Sequence, residues 1–347
     1  MEIIGITGTN GKTSCTYILK HLLGNKRIGI IGTLGAFVGD KKIEYLGPQL
    51  TTPDRAQLDE IFEKFKFHKV KIVVMEVSAH AIAQNRIQGI NFRVGCFTNL
   101  SHDHLDYFKT FENYAKTKVD WVSSDNVQVA VVNYDDAYGR DIIHKRQRNA
   151  TPYKTFRAGA NFIESNVNAC VEIALELGIA WRKIQKRVKT LPQVPGRFNV
   201  IKSKIGYTVV IDYAHTPDGL EKVLKESRSL VDDTGKLIVV FGCGGDRDAG
   251  KRPIMGQVAK ENADLVVVTS DNPRTENPMD IIEQIGVGDF KFEDRLVATH
   301  FALRKAQSGD VVVLAGKGAE NTQEINGNFL PYNDTKIVTQ YLRDTKQ

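Results

Sequence analysis

The sequence predicts an α/β fold of two domains, each built on a largely parallel sheet. Three observations predict it. Short runs rich in Val and Ile recur along the 347 residues, helical stretches separate them, and one proline-rich break divides the series. The runs are Ile3–Ile6, Ile28–Ile31, Val70–Val77, Val94–Thr98, Val127–Val132, Thr208–Ile211, Leu237–Phe241, Leu265–Thr269 and Val311–Ala315. Most are continuously apolar rather than alternating, as strands buried on both faces are. Between them, Thr13–Leu23 reads as a helix that closes with Lys20 and His21 before Gly24. Val167–Leu177 reads as another, with Ser165 and Asn166 as caps and Gly178 as its stop. Strands alternating with helices imply helices over both sheet faces. The break is Leu191-Pro-Gln-Val-Pro-Gly196. It sets the expected domains at residues 1–191 and 192–347, the second smaller and Rossmann-like.

Composition narrows the class. With 41% hydrophobic and 25% charged residues, the chain can bury two or three cores. A formal charge of +6 is spread without blocks of like sign and does not by itself select a partner. The four cysteines are far apart and form no CxxC pair, which argues against a zinc site or disulfide framework and for a reducing compartment. No apolar run reaches the roughly 18 residues of a membrane span, and no signal-peptide pattern leads the chain. A cytoplasmic monomer is expected, acting on small molecules, with no nucleic-acid or membrane partner.

The first chemical motif is Gly5-Ile-Thr-Gly-Thr-Asn-Gly-Lys-Thr13, which follows a strand and opens a helix. Glycines let backbone amides close around phosphate oxygens, and the helix N-terminus adds its positive dipole end. Gly8, Thr9, Asn10 and Gly11 form the cradle, Lys12 reaches the terminal phosphates, and the Thr13 hydroxyl holds magnesium. Ile6 occupies the place where the common phosphate-loop spacing has a small residue. The expected ligands are ATP and Mg2+. The second motif places Glu76 at the end of the buried run Val73-Val-Met-Glu-Val-Ser-Ala-His80. Ligands collect at that edge of an open α/β sheet, and magnesium beside phosphates is a natural partner for a buried carboxylate. The third, Thr98-Asn-Leu-Ser-His-Asp-His-Leu-Asp106, clusters Asp103, His104 and Asp106 after the next strand.

Gly8-Thr-Asn-Gly-Lys-Thr13, Thr51-Thr-Pro53, Met75-Glu-Val-Ser78 and Asp103-His-Leu-Asp106 stand in an order and spacing that resembles the Mur ligase family. Asp212-Tyr-Ala-His-Thr-Pro217, Gly244-Gly-Asp-Arg-Asp248 and Asp271-Asn-Pro-Arg274 are similar to its tripeptide-synthetase (MurE) branch. The resemblance runs from residue 5 to about residue 334. It implies a P-loop central domain followed by a Rossmann-like C-terminal domain. It also implies an ADP-forming ligase that activates the carboxylate of a muramoyl dipeptide as an acyl phosphate and joins it to an amino acid.

Residue by residue, the resemblance implies Lys12, Glu76, His104 and Lys118 as the catalytic set. Thr13, Glu76, His104 and Lys118 become metal ligands, with Lys118 carbamylated. Adding carbon dioxide would turn that cation into a carboxylate. Lys116, two positions earlier, is expected to be an ordinary solvated lysine. Asn166 faces adenine, while Arg197 and Asp212 contribute to ATP from the second domain. Thr51, Thr52, Ser78, Gln84 and Arg86 match the positions that hold the muramoyl peptide. Arg247, Asp271, Asn272, Pro273, Arg274, Gly316 and Glu320 match those that surround the amino acid. Arg274 resembles the arginine that selects meso-diaminopimelate, whose distal carboxylate lysine lacks. Glu320 suits an ammonium.

The chain departs from the family pattern in three places. It begins at the phosphate loop, so the uridine-binding domain is expected to be missing, with a separate UDP-binding subunit as one substitute. The stretch from Tyr153 to Asn166 is compressed and has Ile163 where an asparagine is usual. Ala319 replaces a usual histidine. A ligase on a non-UDP substrate such as a γ-glutamyl polymer, or a non-catalytic ATP-binding partner, are the alternative expectations.

Overall fold

The computed structural model describes residues 1–24, 27–154 and 161–345. Part of the compressed Tyr153–Asn166 stretch, residues 155–160, lies outside the described residues. The chain divides into two compact units. The first holds residues 1–101 and 108–192, and the second holds residues 102–107 and 193–347.

The first unit contains β1 (Glu2–Thr7), β2 (Ile28–Gly32), β3 (Gly35–Val38), β4 (Lys41–Ile43), β5 (Ile72–Glu76), β6 (Phe92–Phe97), β7 (Val127–Asn133) and β8 (Ala150–Tyr153). They form one sheet in the order β4-β3-β2-β5-β1-β6-β7-β8. Pairing is parallel from β2 to β8 and antiparallel through β2-β3-β4. Short loops therefore suffice at one edge, whereas the parallel part needs crossover helices. In the helix Lys12–Leu23, Gly24 adopts φ 101° and its amide bonds the carbonyls of Lys20 and His21. That is the glycine stop the sequence predicts. The later helix differs from expectation. It spans Phe162–Glu176 and its cap is Asn161, whose side chain accepts from the Glu164 amide, rather than Ser165 or Asn166. A good cap residue was available one turn earlier, which leaves Asn166 buried inside the helix.

The second unit contains β9 (Asn199–Lys202), β10 (Thr208–Asp212), β11 (Leu237–Phe241), β12 (Leu265–Thr269), β13 (Phe290–Phe292) and β14 (Val311–Ala315), with a hairpin of β15 (Thr322–Ile325) and β16 (Asn328–Pro331). The sheet order is β13-β12-β11-β14-β10-β9, parallel except where β9 meets β10. Successive residues of β11 feed opposite faces. Leu237, Val239 and Phe241 join one apolar cluster, while Ile238 and Val240 join the other. Two buried faces explain why this run is apolar throughout. In both units the loops at the C-terminal ends of the parallel strands carry the residues considered next. Among the described residues no helix is long and apolar enough to cross a membrane.

Candidate functional site

In the first unit the chain leaves β1 and turns through Gly8–Gly11 into the helix Lys12–Leu23. Gly8 and Gly11 hold φ 148° and 89°. A Cβ at Gly8 would lie 1.9 Å from Thr98 Oγ1, and one at Gly11 would lie 2.4 Å from Asn166 Oδ1, so both glycines are needed. The cap residue is Gly11, which has no side chain to cap the helix, and the positive end of a helix suits an anion. Loop shape is held from outside. The Asn10 amide donates to Asn99 Oδ1 at 3.0 Å, the Ser101 amide donates to Thr9 Oγ1 at 3.0 Å, and the Thr9 hydroxyl meets the Tyr114 hydroxyl at 3.1 Å. Lys12 folds back, its Nζ donating to the Gly8 and Thr9 carbonyls at 2.8 Å each. Asn166 lies beneath this loop, its Oδ1 3.6 Å from Cys15 Sγ.

Glu76 ends β5, in register with Ile6 of β1, and is 1% exposed. Its carboxylate accepts from the Thr33 amide at 2.9 Å and from the hydroxyls of Thr33 and Thr13 at 3.1 Å each. A Cβ at Gly32 would lie 2.2 Å from Glu76 Oε1, so a glycine clears the space. The positions expected to hold the peptide gather around it. Thr52 donates to the Glu76 carbonyl at 2.8 Å and accepts from the Ser78 amide at 2.9 Å, while Thr51 meets Thr33 at 3.1 Å. Arg86 reaches the Thr52 carbonyl at 2.9 Å and binds Gln84 Oε1 through its Nε at 2.9 Å.

The helix Phe111–Ser123 buries Tyr114, Ala115, Lys118, Val119 and Val122 on one side. Lys116 points away and pairs with Asp120, as an ordinary surface lysine does. Lys118, 1% exposed, donates to the Gly8 carbonyl at 2.9 Å and stands 4.9 Å from the centre of the Tyr114 ring. Lys12 and Lys118 thus share one carbonyl. The residues fit a nucleotide with a hard cation: a helix start opened by glycine, a loop cation, and the oxygens of Thr13 and Glu76 side by side. Among the described residues no three His, Cys, Asp or Glu side chains converge on one point. Magnesium takes one or two carboxylates together with phosphate oxygens, and Glu76 offers one carboxylate beside the Thr13 hydroxyl. Of the four positions expected to bind metal, Thr13 and Glu76 are in contact and Lys118 abuts the loop. His104 belongs to the second unit, with φ 57° and its Nε2 3.3 Å from Asp103.

In the second unit the C-terminal ends of β10, β11, β12 and β14 lead to Asp212, Gly244–Asp248, Asp271–Arg274 and Gly316–Glu320. Asp212 accepts the amides of Phe198 at 2.6 Å and Ala214 at 2.7 Å. Burial pushes its carboxyl up, against the pull of Arg197 and those amides. Arg197 lies 4.3 Å over the Tyr213 ring. Arg274, at φ 51°, donates through Nη1 to the Gly245 carbonyl at 2.6 Å, and its Nε pairs with Glu324 at 3.2 Å. A Cβ on Gly244 would lie 3.0 Å from Arg274 Nη1 and 3.8 Å from Arg247 Cγ, so both arginine side chains border that glycine. The Pro273 carbonyl receives the Glu276 amide at 3.0 Å, closing the turn. Gly316 has φ 110°, and a Cβ there would lie 2.3 Å from Asp271 Oδ2.

Three residues outside the sequence-based set belong here. Lys317, with a fully buried side chain, donates to Asn272 Oδ1 at 2.7 Å and to Glu320 Oε2 at 2.5 Å. A lysine between two glycines in a site motif was the available signal. Glu324 is on β15, and no chemical pattern marks it. Arg252, 1% exposed, grips Glu276 through two bonds of 2.8 Å. It ties the loop after β11 to the loop after β12 and is visible only once the fold is known.

Comparison with known proteins gives two family matches, the Mur ligase middle domain over residues 6–202 and the Mur ligase glutamate ligase domain over residues 196–318. UDP-N-acetylmuramoyl-L-alanyl-D-glutamate--2,6-diaminopimelate ligase 1 of Clostridium acetobutylicum is 39% identical, covering 99% of this chain and 78% of that protein. The corresponding ligase of Coxiella burnetii is also 39% identical, with the same coverage. A solved structure of a ligase of that name is 32% identical with a TM-score of 0.64, covering 100% of this chain and 79% of that one. The folylpolyglutamate synthase/dihydrofolate synthase of Yersinia pestis, at 18% identity and a TM-score of 0.70 over 91% of this chain and 86% of that one, shares the fold. Nothing in these relatives supports a separate UDP-binding subunit.

Proposed function

Because the chain belongs to the Mur ligase family, we propose that it adds meso-diaminopimelate to the D-glutamyl carboxylate of a muramoyl dipeptide, in peptidoglycan precursor synthesis. It is an ATP-dependent, ADP-forming ligase that uses magnesium. The phosphoryl group of ATP makes the carboxylate an acyl phosphate, which the incoming amine attacks. We assign the handling of ATP and acyl substrate to residues 1–191 and the binding of the amino acid to residues 192–347. The reaction is assigned to a monomer in the cytoplasm, on soluble small-molecule substrates.

The observation that carries the choice of amino acid is the pair Arg247 and Arg274 bordering Gly244, within the unit that also holds Asn272 and Glu320. Two guanidinium groups suit a ligand with a second carboxylate. In the first unit Lys12 neutralises phosphate charge, and Thr13 and Glu76 would hold the magnesium. Thr51, Thr52, Ser78, Gln84 and Arg86 orient the peptide, and that orientation is the larger part of what this chemistry asks of the protein. Asn166 is assigned to the adenine end, Arg197 and Asp212 to ATP, and His104 to the metal. Carbamylation of Lys118 is supported by the carbonyl it shares with Lys12. A carbamate would replace a second buried cation beside the loop lysine by an anion.

The test is ligation of UDP-N-acetylmuramoyl-L-alanyl-D-glutamate with meso-diaminopimelate or L-lysine, scored by mass spectrometry of the product and by phosphate release. Diaminopimelate is expected to be used far better. Equal or better turnover with lysine overturns the assignment.

A further inference from the structure

We infer that the helix Trp181–Val188, with Lys189 after it, is a docking surface for an anionic phospholipid membrane. The surface belongs to the first unit and carries none of the residues assigned to ligation. The segment reads Trp181-Arg-Lys-Ile-Gln-Lys-Arg-Val-Lys189, with five cations and no carboxylate. Ile184, Gln185 and Val188 interrupt the cations, so the sequence shows no block of like charge. The helix gathers them: at about 100° per residue, Arg182, Lys186 and Lys189 fall within about 60° of one another, with Lys183 beside them.

These four are exposed, and Trp181 is 53% exposed. Ile184 is fully buried on the opposite side of the helix. The fifth cation, Arg187, is spent inward. Its Nη1 donates to the Leu22 carbonyl at 2.5 Å, and its own carbonyl meets His21 Nε2 at 3.1 Å, which fixes the helix to the end of Lys12–Leu23. The exposed cations are placed against the stability of their own helix. Ala180 supplies no cap and the first turn has no acidic residue, while Arg182 and Lys183 stand there beside the positive end of the dipole. Arg182 and Lys186, four apart, repel. Other helices of the chain do the reverse. Arg55 pairs with Asp59, Lys64 with Glu60, Lys116 with Asp120 and Lys225 with Glu221, each four apart. Among the described residues, Arg182, Lys183, Lys186 and Lys189 make no ion pair.

A surface that holds unshared positive charge at the expense of its helix is the complement of an anionic one. Two features select lipid over nucleic acid. Three of the four exposed cations are lysines, point charges without the guanidinium fork that grips one particular phosphate. Lipid headgroups diffuse sideways to meet such charges wherever they lie, which a nucleic-acid backbone cannot do. Trp181 flanks the same face, and an indole, with its apolar body and one polar edge, suits a membrane–water interface. The lack of a long apolar run excludes a crossing helix only, and a helix bound at the surface needs no such run.

The experiment mixes the whole chain at low salt with vesicles of phosphatidylcholine, alone or in equal parts with phosphatidylglycerol, and reads co-sedimentation and tryptophan emission. Trp121, the other tryptophan, is 7% exposed, so an emission shift on binding reports Trp181. The wild type should bind only the anionic vesicles, with emission moving to the blue, and should be released as salt screens the charges. Each cation near an anionic leaflet contributes about fivefold to partitioning, so Arg182→Gln, Lys183→Gln and Lys186→Gln combined should weaken binding about 100-fold. The unfolding midpoint of that variant should equal or exceed the wild type's, because a repulsion has been removed. Trp181→Phe should keep most of the binding and lose the shift. The inference is overturned if the wild type ignores anionic vesicles, if the triple variant binds as tightly as the wild type, or if emission does not move on binding. A DNA duplex that displaces the vesicles and binds more tightly also overturns it, and assigns the surface to nucleic acid.

Discussion

Replacing Glu276 by glutamine tests whether the two arginine-bearing loops are held in register by its ion pair with the buried Arg252. Glu276 receives Arg252 Nη1 on Oε2 and Arg252 Nη2 on Oε1, both at 2.8 Å, and its Oε1 also accepts the Asp246 amide at 2.5 Å. Glutamine keeps the shape but turns one acceptor into a donor, so one of these three bonds becomes a donor–donor contact. Removing one partner of a fully buried pair costs about 3–5 kcal/mol. Two features lower that figure. Glu276 is 31% exposed, and Arg252 keeps Gln284 Oε1 at 2.6 Å. About 2 kcal/mol is the expected loss, or roughly 5 °C in the midpoint of a unit this size. The Arg252 bonds hold the Glu276 carboxyl below its ordinary value of 4.5. The wild-type advantage is therefore complete above pH 4.5 and is lost as the pH falls through the lower folded value. Function should follow stability, because the Asp246 bond ties the Arg247 loop to the Arg274 loop. KM for diaminopimelate should rise about tenfold, the equivalent of about 1.4 kcal/mol, with kcat within about twofold. Urea unfolding at pH 7 and at pH 4, with steady-state kinetics at pH 7, reads all of this. Unfolding free energies that agree within about 0.3 kcal/mol, together with an unchanged KM, would refute the reasoning.

Glu76→Gln should lower phosphate release by about 100-fold, since it removes a buried charged acceptor worth about 3 kcal/mol. The Thr13 and Thr33 hydroxyls can rotate to accept from the new amide, so folding should lose only about 1 kcal/mol. A magnesium titration that is unchanged in this variant would count against the metal assignment. Lys118→Ala should abolish ligation while leaving ATP binding through Lys12, measured by calorimetry, within about tenfold. Acetate or formate should partly restore its activity but not that of Lys12→Ala, whose defect is a lost cation, and near-normal activity in Lys118→Ala would defeat the carbamate. His215 supplies a pH test. Burial and the Lys251 and Arg197 cations hold its pKa below 6.5, against the pull of Asp103 and of its 2.8 Å bond to the Tyr213 carbonyl. The unfolded chain then binds a proton before the folded one, so stability should fall as the pH drops below 6.5. His215→Gln should flatten that slope in urea titrations, and an identical slope would rule out this origin.

The central strands were legible because parallel strands buried on both faces must be apolar at every position, as Leu237–Phe241 is. The edges were not. Gly35–Val38 and Lys41–Ile43 are four and three residues long and antiparallel, and Lys41 and Lys42 are exposed. The hairpin Thr322–Pro331 left a signal that went unused. Asn326 and Gly327 take φ 48° and 73°, the two left-handed residues of a tight hairpin turn, and Asn-Gly is the sequence mark of that turn. In the site, glycines and loop lysines were legible because each has one chemical use at such a place. The partners of the charges were not, because ion pairs such as Arg252 with Glu276 or Arg274 with Glu324 join residues more than twenty positions apart that only the fold brings together.

Those partners change how the site must work. Lys12 is bound to carbonyls of its own loop, Arg274 to Gly245 and Glu324, and Glu320 to Lys317. Among these residues no charge waits bare for a substrate, because a desolvated charge without a partner is too costly to keep. Binding is therefore an exchange of partners, and an exchange contributes less affinity than the same contacts made to bare groups. Discrimination does not shrink in the same way. A ligand that displaces an internal partner and then fails to replace it leaves a charge unanswered, and that penalty is the full one. A site pre-paired in this manner should bind its amino acid modestly and reject the wrong one strongly, which is the balance a ligase committing a building block to a polymer requires.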